Sequence, residues 1–319
     1  MLQIESVMID SSFSPEVRSR LIVESDKESV AELLSIGLGY PESYFAEILD
    51  RLSQNSPPDD FPKYGYVLTN GSVIVGAILL IFSRIKSDRK EEIRCHVTSW
   101  YVEQRYRCYA AVFYSRALKH KHVTYLNISA RPAALPIVKL QGFSKYSSGQ
   151  FAFLPVTQLL WSSFDNEAVV LDANEVPDAK FMLFELEMLR AHASYGCWSF
   201  WCVAEGSAHP FIFQPRRFKG FIPGVQLVYC RDIHELVKFV RPIASFLTRR
   251  GILVVRVDAN GPVPGLIGRY FDGLEPRYYK GPKPRLGDLT YTQTVMCPHT
   301  RKARAGKVPQ MRLKNYGST

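Results

Sequence analysis

A β-hairpin signal early in the chain constrains the fold more than any other feature. The stretch "YGYVLTNGSVIVGAILLIFSRI" holds two β-rich runs on either side of Asn70 and Gly71. Asn-Gly is typical of a type I′ turn, because both central positions of that turn need a positive φ. The two runs are therefore predicted to be neighbouring antiparallel strands.

The patterns around this hairpin predict a mixed α/β unit. A strand and two helices are expected before it, at 18–25, 27–40 and 41–54. The segments expected after it are a strand at 93–102, a helix at 108–120, a strand at 123–130, a short helix at 131–143 and a strand at 144–155. An antiparallel meander followed by a β-α-β crossover predicts a mixed, mostly antiparallel twisted sheet flanked by helices, in the α/β (α+β) class.

The second half of the chain repeats this order of elements with almost no residue identity. The expected segments are a helix at 181–196, a hairpin at 197–215, a strand at 225–230, a long helix at 232–251, a strand at 252–260, a short helix at 261–273 and a last strand at 289–296. A repeat of half the chain predicts two domains rather than a solenoid. The predicted division is 1–160, 161–297 and a tail at 298–319.

Composition excludes several classes of protein. Hydrophobic residues make up 46% of the 319 residues, so wholesale disorder is excluded. The longest apolar run, 73–82, is too short to span a bilayer, and the N-terminus lacks a signal-peptide pattern, so a cytoplasmic protein without a membrane span is expected. The six cysteines form no CxxC pair and no zinc-like spacing, which favours buried reduced thiols and no metal site.

Positive charge is concentrated in the tail. The net charge is +10, and the tail carries six basic and no acidic residues, which are Arg301, Lys302, Arg304, Lys307, Arg312 and Lys314. A solvated extension is the favoured interpretation. The alternative is an electrostatic arm for RNA, membrane phosphates or an anionic substrate.

The stretch "WYVEQRYRCYAAVF" predicts a strand that runs through a basic turn into a helix. Arg105 and Arg107 stand where the helix is expected to begin. A helix N-terminus presents unpaired N–H groups and a partial positive charge, so it can bind phosphates, and arginines add charge-assisted bonds. A solvated basic turn is the alternative.

This stretch and "LNISARPAALPIVKLQGF" together resemble the two ordered motifs of the GCN5-related N-acetyltransferase (GNAT) superfamily. The resemblance implies acetyl-CoA or another acyl-CoA as co-substrate, with its pyrophosphate at 105–111 and its pantetheine arm between strands 93–102 and 123–129. The cofactor-binding residues that it implies are Val102, Arg105, Arg107, Cys108, Tyr109, Ala110, Ala111 and Asn127. It also implies tandem GNAT-like domains, of which the second is degenerate because Asp232 and Glu235 at its helix start repel phosphate.

The chain departs from the family pattern at three positions. The two motif glycines fall on Ala110 and Val112, and the frequent tyrosine general acid falls on Val138. His96 and Glu103, on or beside the strand before the turn, are the candidate catalytic residues. A hydrogen-bonded sheet histidine is the alternative for His96.

Strand alternation makes a further prediction about this strand. It places His96, Thr98, Trp100 and Val102 on one face. Three functions remain open at this point. The leading hypothesis is an acyl-CoA-dependent acyltransferase in which a small-molecule or peptide amine attacks the thioester directly. The alternatives are an inactive GNAT-like binding or regulatory module and an aminoacyl-tRNA-dependent transferase that uses the basic tail. Binding of nucleic acid is not favoured, and a homodimer is left open.

Overall fold

The computed structural model describes residues 16–54, 56–87, 90–161 and 168–292, and these residues build a sheet of twelve strands with helices on both faces. The predicted mixed α/β class with a mostly antiparallel sheet is confirmed. The tail at 298–319 and the end of the predicted last strand, 293–296, lie outside the described residues. In the described ranges no helix is both long enough and apolar enough to cross a membrane.

The first half contains the predicted hairpin and the crossover that follows it. Its elements are β1 (Val17–Leu21), α1 (Lys27–Leu38), α2 (Glu42–Gln54), β2 (Gly65–Asn70), β3 (Val73–Ser87), β4 (Lys90–Val102), α3 (Ala110–Ala117), β5 (Val123–Asn127), α4 (Leu135–Leu140) and β6 (Ser144–Phe153). Asn70 pairs with Val73, so the two-residue loop is Gly71 and Ser72, one position later than predicted. Gly71 has a positive φ, 58°, but Ser72 does not, so the turn lacks the two positive φ angles of type I′.

The second half repeats the antiparallel meander and the parallel crossover. Its elements are α5 (Pro155–Trp161), β7 (Val169–Asp172), α6 (Leu183–Ser194), β8 (Trp198–Ala204), β9 (Ser207–Phe218), β10 (Ile222–Tyr229), α7 (Ile233–Lys238), α8 (Val240–Thr248), β11 (Val254–Ala259) and β12 (Gly268–Lys280). Strands β10 and β11 are parallel, as β4 and β5 are in the first half.

Three predictions in this half are wrong. The helix expected at 232–251 is divided into α7 and α8. Pro242 accounts for the break, because it has no N–H for the carbonyl of Lys238 and its ring crowds that carbonyl. The short helix expected at 261–273 is absent, and the last six residues of that stretch belong to β12, which pairs with β6 from Gly268 onward. Residues 289–292 of the predicted last strand are not in a strand.

Strands of the two halves interleave at the centre of the sheet. The order is β1-β2-β3-β4-β5-β12-β6-β11-β10-β9-β8-β7. Strand β12 therefore lies between β5 and β6, and β6 lies between β12 and β11. Strands from before and after position 160 belong to this one sheet. The division into domains at 160 and 297 stays a prediction.

Each half of the sheet is covered on both faces. In the first half, Leu34 of α1 and Phe45 of α2 are buried on one face, and Phe113 of α3 and Val138 of α4 on the other. Helix α6 covers one face of the second half, and α7 and α8 cover the other. Burial of a Leu, Val or Phe side chain contributes about 1.5–3 kcal/mol. These packed layers hold β4 and β5 in place.

Candidate functional site

Strands β4 and β5 diverge at the middle of the sheet. Their parallel pairing runs from Ile93 and Val123 to His96 and Leu126 and stops there, although β4 continues to Val102. A cleft of about 130 Å³ opens at this divergence. It is lined by Leu38, Tyr40, Tyr44, Phe45, Val97, Thr98, Ser99, Trp100, Tyr114, Asn127, Ser129, Ala130, Arg131 and Ala134.

A β-bulge shapes the β4 wall of the cleft. Thr98 pairs with Leu79, but the next pair is Tyr101 with Ala77, so β4 carries one extra residue at this point. Ser99 has a φ of 47°, a conformation that side-chain-bearing residues rarely adopt. Such bulges redirect the side chains that follow them, and they occur often beside functional sites.

The bulge overturns the predicted face of β4. His96 pairs with Ile81, whose side chain packs with α1 and α2, so His96 and Thr98 are on that side of the sheet. Trp100 and Val102 instead pack on the α3 side. The extra residue inverts the alternation, so these four residues do not share a face.

Gly37 supports the same assignment for the residue after Trp100. A Cβ at Gly37 in α1 would lie 2.2 Å from the ring of Tyr101. Tyr101 thus packs directly onto α1, on the side opposite Trp100. A glycine inside a helix is explained here by this close approach.

Aromatic rings form the two walls of the cleft. Tyr40 and Tyr44 stack with centroids 5.0 Å apart at the start of α2. On the opposite side, Trp100 meets Tyr114 edge to face at 4.7 Å. The indole Nε1 of Trp100 is buried and has no hydrogen-bond partner among the described residues. The cleft therefore combines aromatic walls with polar side chains, as small-molecule sites commonly do, and the polar ones are those of Thr98, Ser99, Asn127, Ser129 and Arg131.

Tyr114 and Asn127 are the buried polar pair of the cleft. The Asn127 amide donates a hydrogen bond of 3.3 Å to the Tyr114 hydroxyl. Burial raises the pKa of Tyr114 above its ordinary range, and the bond from Asn127 lowers it by less. The phenol therefore stays protonated at neutral pH and can donate its own hydrogen bond.

Arg131 is the cation of the lining. Its Nη2 donates 2.7 Å to the carbonyl of Leu38, and the guanidinium lies 6.0 Å from the ring centre of Tyr40. It thereby joins the end of β5 to the α1–α2 junction. No Asp, Glu or His occurs among the residues that line the cleft.

The basic turn after β4 is helical from its first residue. A 3₁₀ helix, Gln104–Tyr109, precedes α3, so the predicted α-helical start at Cys108 is two residues early. Arg105, Arg107 and Cys108 are exposed on this turn. Neither arginine has an ion pair within the part of the chain that the structure describes. They are thus available to an anion from solvent.

The other residues of the turn are more enclosed. Val102 and Ala110 are buried in the core on the α3 side, and Tyr109 packs against that core. The carbonyl of Ala111 accepts a hydrogen bond from Gln141. The Ala110 methyl group therefore faces the core and not the solvent side of the turn.

The two candidate catalytic residues do not line the cleft. His96 is buried, at 2% exposure, on the α1 and α2 side of the sheet. Glu103 is half-buried at the start of the turn, where its N–H donates to Val75 and its carbonyl accepts from Tyr106. Of the predicted residues, only Asn127 lies in the cleft wall. The catalytic roles of His96 and Glu103 stay predictions.

Sequence reasoning missed Tyr114 and Arg131. Tyr114 shares its helix face with buried apolar residues, so its pattern indicates a core residue. Arg131 follows β5 by four positions, and the carboxyl end of a strand beside a parallel partner is a common place for binding residues. Its position after β5 is therefore the sequence feature that could have identified Arg131 as a binding residue.

The corresponding position in the second half is filled by side chains. Pairing between β10 and β11 ends at Gln226 and Arg256. Close to the end of this pairing, Gln226 donates a hydrogen bond of 3.2 Å to Gln150, and Arg277 donates one of 3.2 Å to Asp258. All four side chains are buried. This polar network occupies the middle of the sheet where the first half has its cleft.

The helix that follows β10 begins with acidic groups that already have partners. Asp232 accepts 2.8 Å from the N–H of His234, as an N-cap. Glu235 contacts His209 at 2.9 Å. In the described ranges no three His, Cys, Asp or Glu side chains are grouped as metal ligands.

The solved structures with a similar fold include GCN5-related N-acetyltransferases and a probable N-acyltransferase. A GCN5-related N-acetyltransferase from Anabaena variabilis ATCC 29413 matches with a TM-score of 0.55 at 10% identity, over 82% of this chain and 72% of that one. One from Kribbella flavida matches with a TM-score of 0.51 at 13% identity, over 85% and 72%. A probable N-acyltransferase from Enterococcus faecalis V583 matches with a TM-score of 0.50 at 8% identity, over 86% and 74%.

Sequence comparison adds no closer relative. No protein-family model matches this chain, and no curated protein sequence matches it. The structural likeness extends over most of the chain. The predicted resemblance is confirmed at the level of the fold: this chain has the fold of the GCN5-related N-acetyltransferases.

Proposed function

We propose that this protein is an acyl-CoA-dependent N-acyltransferase. The observation that carries the proposal is the cleft at the divergence of β4 and β5, which lies on the same strand as the basic turn after Val102. A thioester arm needs a narrow apolar channel between strands, and a pyrophosphate needs cationic donors at its end. Both are provided within one β-α-β unit of this fold.

Acyl-CoA fits the residues on the two sides of that unit. Arg105 and Arg107 are exposed and unpaired in the described chain, so their guanidinium groups can bind a pyrophosphate. Cys108, Tyr109 and Ala111 would contact the ligand through their side chains, because the main chain of this stretch is already hydrogen-bonded within the helices, and the buried Val102 and Ala110 would hold its position. Asn127 would contact the pantetheine arm in the cleft.

Direct transfer of the acyl group to the amine needs no covalent intermediate with the protein. The acceptor nitrogen forms a bond to the acyl carbon, the carbon–sulfur bond breaks, the amine proton goes to solvent and the thiolate of CoA takes up a proton. The Tyr114 hydroxyl accepts from Asn127, so its own proton is directed elsewhere. We assign it a hydrogen bond to the thioester oxygen or to the departing sulfur, where charge develops.

Calorimetric titration with acetyl-CoA and with longer acyl-CoAs tests the donor site. Arg105→Ala/Arg107→Ala is expected to bind at least tenfold more weakly, because tenfold is about 1.4 kcal/mol and each charge-assisted bond is of that order. Arg217→Ala/Arg249→Ala, two exposed arginines of the second half, removes the same charge elsewhere and should bind like wild type. An equal loss in both variants, or no acyl-CoA binding at all, contradicts the proposal.

An inactive binding module is the second candidate, and two observations favour it. The cleft lining has no carboxylate or imidazole, and Val138, at the position of the family's usual tyrosine, is fully buried. Release of free thiol from acetyl-CoA across a panel of amines separates the two functions. Binding of acyl-CoA without any thiol release would favour the module.

A further inference from the structure

The charged groups that line the cleft determine which class of ligand it can bind. Its side chains include five aromatic rings and one guanidinium, and no carboxylate. An acceptor with several ammonium groups would need carboxylates for its extra charges, and Arg131 would repel it. The lining is therefore matched to a ligand with an aromatic or apolar body and an anionic group.

Arg131 has donors to spare for such a group. One nitrogen is used by the carbonyl of Leu38, and within the described ranges the guanidinium has no carboxylate partner. An arginine fork binds a carboxylate through two parallel N–H bonds. Arg131 is exposed, and its bond to Leu38 and the nearby ring of Tyr40 orient the remaining donors.

The rings come from both sides of the sheet. Tyr40, Tyr44 and Phe45 belong to the α1–α2 side, and Trp100 and Tyr114 belong to the α3 side. A flat apolar group on the α1–α2 side would contact ring faces and edges there and leave the α3 side to the thioester arm. Such walls favour an aromatic ring over a sugar or a flexible polyamine.

We propose that the acceptor is an amine that carries a carboxylate and an aromatic body, of the aromatic amino acid class, with its carboxylate on Arg131. The inference rests on the proposed function for the transfer itself. The ring would contact the wall of Tyr40, Tyr44 and Phe45, the amine would face the divergence of β4 and β5, and the Asn127 and Tyr114 side would remain for the thioester arm. The bonds formed and broken are those already given for direct transfer, and the product is an N-acyl amino acid.

A matched pair of ligands tests the class without any turnover. N-Acetyl-L-phenylalanine and N-acetylphenethylamine differ by the carboxylate, and both are titrated into the full chain by calorimetry. We expect the anionic member to bind at least tenfold more tightly, and Arg131→Gln to abolish that preference. Glutamine keeps an N–H donor for Leu38, and Arg217→Gln is the charge-matched control that should keep the preference. Equal affinities, no binding of either ligand, or a preference that survives Arg131→Gln overturns the inference.

Turnover separates this inference from the proposed function. L-Phenylalanine and phenethylamine are compared as acceptors with acetyl-CoA, and the ratio of their kcat/KM values is expected to fall at least tenfold in Arg131→Gln, mainly through the KM for phenylalanine. Acetylation of both amines with a ratio unaffected by Arg131→Gln overturns the inference and leaves the acyltransferase standing. Arginine-dependent binding of N-acetyl-L-phenylalanine with no acyl-CoA binding leaves the ligand class standing and overturns the acyltransferase.

Discussion

The side-chain amide of Asn127, at the end of β5, donates a hydrogen bond of 3.3 Å to the hydroxyl of Tyr114 on α3. This bond joins the strand to the crossover helix at the floor of the cleft. Both side chains are buried, so the pair fixes the orientation of the phenol before any ligand binds. The remaining hydroxyl proton is the one that can reach a reacting group.

Tyr114→Phe is expected to lower kcat for acyl transfer about 10²-fold with a small change in KM, because it removes a donor that acts where charge develops. Steady-state release of CoA thiol measures this. Tyr125→Phe is the control, since Tyr125 is equally buried and its hydroxyl contacts the main chain of His120 outside the cleft. A similar loss in both variants would assign the effect to packing.

The sequence predicts the frame of this site well. Local patterns give the hairpin, β4, the basic turn and β5, because alternation and turn residues act over short distances. The bulge at Ser99 cannot be predicted from the local sequence. The extra residue is recognised only from the pairing of β4 with β3. A prediction from regular alternation, which does not include the bulge, therefore assigns Trp100 to the wrong face of β4.

Long-range contacts account for the rest of what was missed. Tyr40 and Arg131 are 91 positions apart and meet only after α1 and β5 are packed. Strand β12 takes its partners from β5 and β6, so its strand state depends on residues far away in the chain. The Pro- and Gly-rich segment 260–268, which leads into β12, has no local strand pattern.

Ser99→Val is expected to destabilise the fold by about 1–3 kcal/mol, because a β-branched residue fits poorly at a φ of 47°. Ser99→Gly should be nearly neutral, since glycine adopts this conformation without strain. Urea denaturation followed by fluorescence gives both values. Ser83→Val, in regular β3, is the control. Equal effects of Val at 83 and 99 would contradict a strained bulge.

Asp288→Ala is expected to cost about 3–5 kcal/mol, because it leaves the buried Arg94 guanidinium with only the more distant carboxylate of Glu92, at 3.8 Å. The two side chains are 2.9 Å apart and join β4 to the segment after β12. Arg94→Met/Asp288→Leu should recover most of that loss, since it removes both charges. Denaturant titration measures each variant. The exposed pair Arg84 and Glu91 is the control, and its loss should cost less than about 1 kcal/mol.

The stability of the protein is expected to fall in two steps as the pH is lowered. Burial lowers the pKa of His192 to about 4, from an ordinary value of 6.5. Burial would raise the pKa of Asp288, but Arg94, with smaller contributions from Arg285 and Thr290, more than offsets this, and the pKa is lowered to about 2. In each window the unfolded chain binds more protons than the folded chain, so the free energy of unfolding decreases with falling pH.

The first window, from pH 6.5 to about 4, belongs to His192 and amounts to about 3–4 kcal/mol at most. The imidazole contacts the carbonyl of Met188 at 2.7 Å and accepts from the N–H of Tyr291 at 3.2 Å, so a second ring proton would break the latter bond. His192→Gln can keep both contacts without titrating, and it should flatten this window relative to wild type. His234→Gln, at an exposed position, should follow wild type. Urea titrations at half-unit pH intervals measure the slopes, and equal slopes in wild type and His192→Gln would refute the assignment.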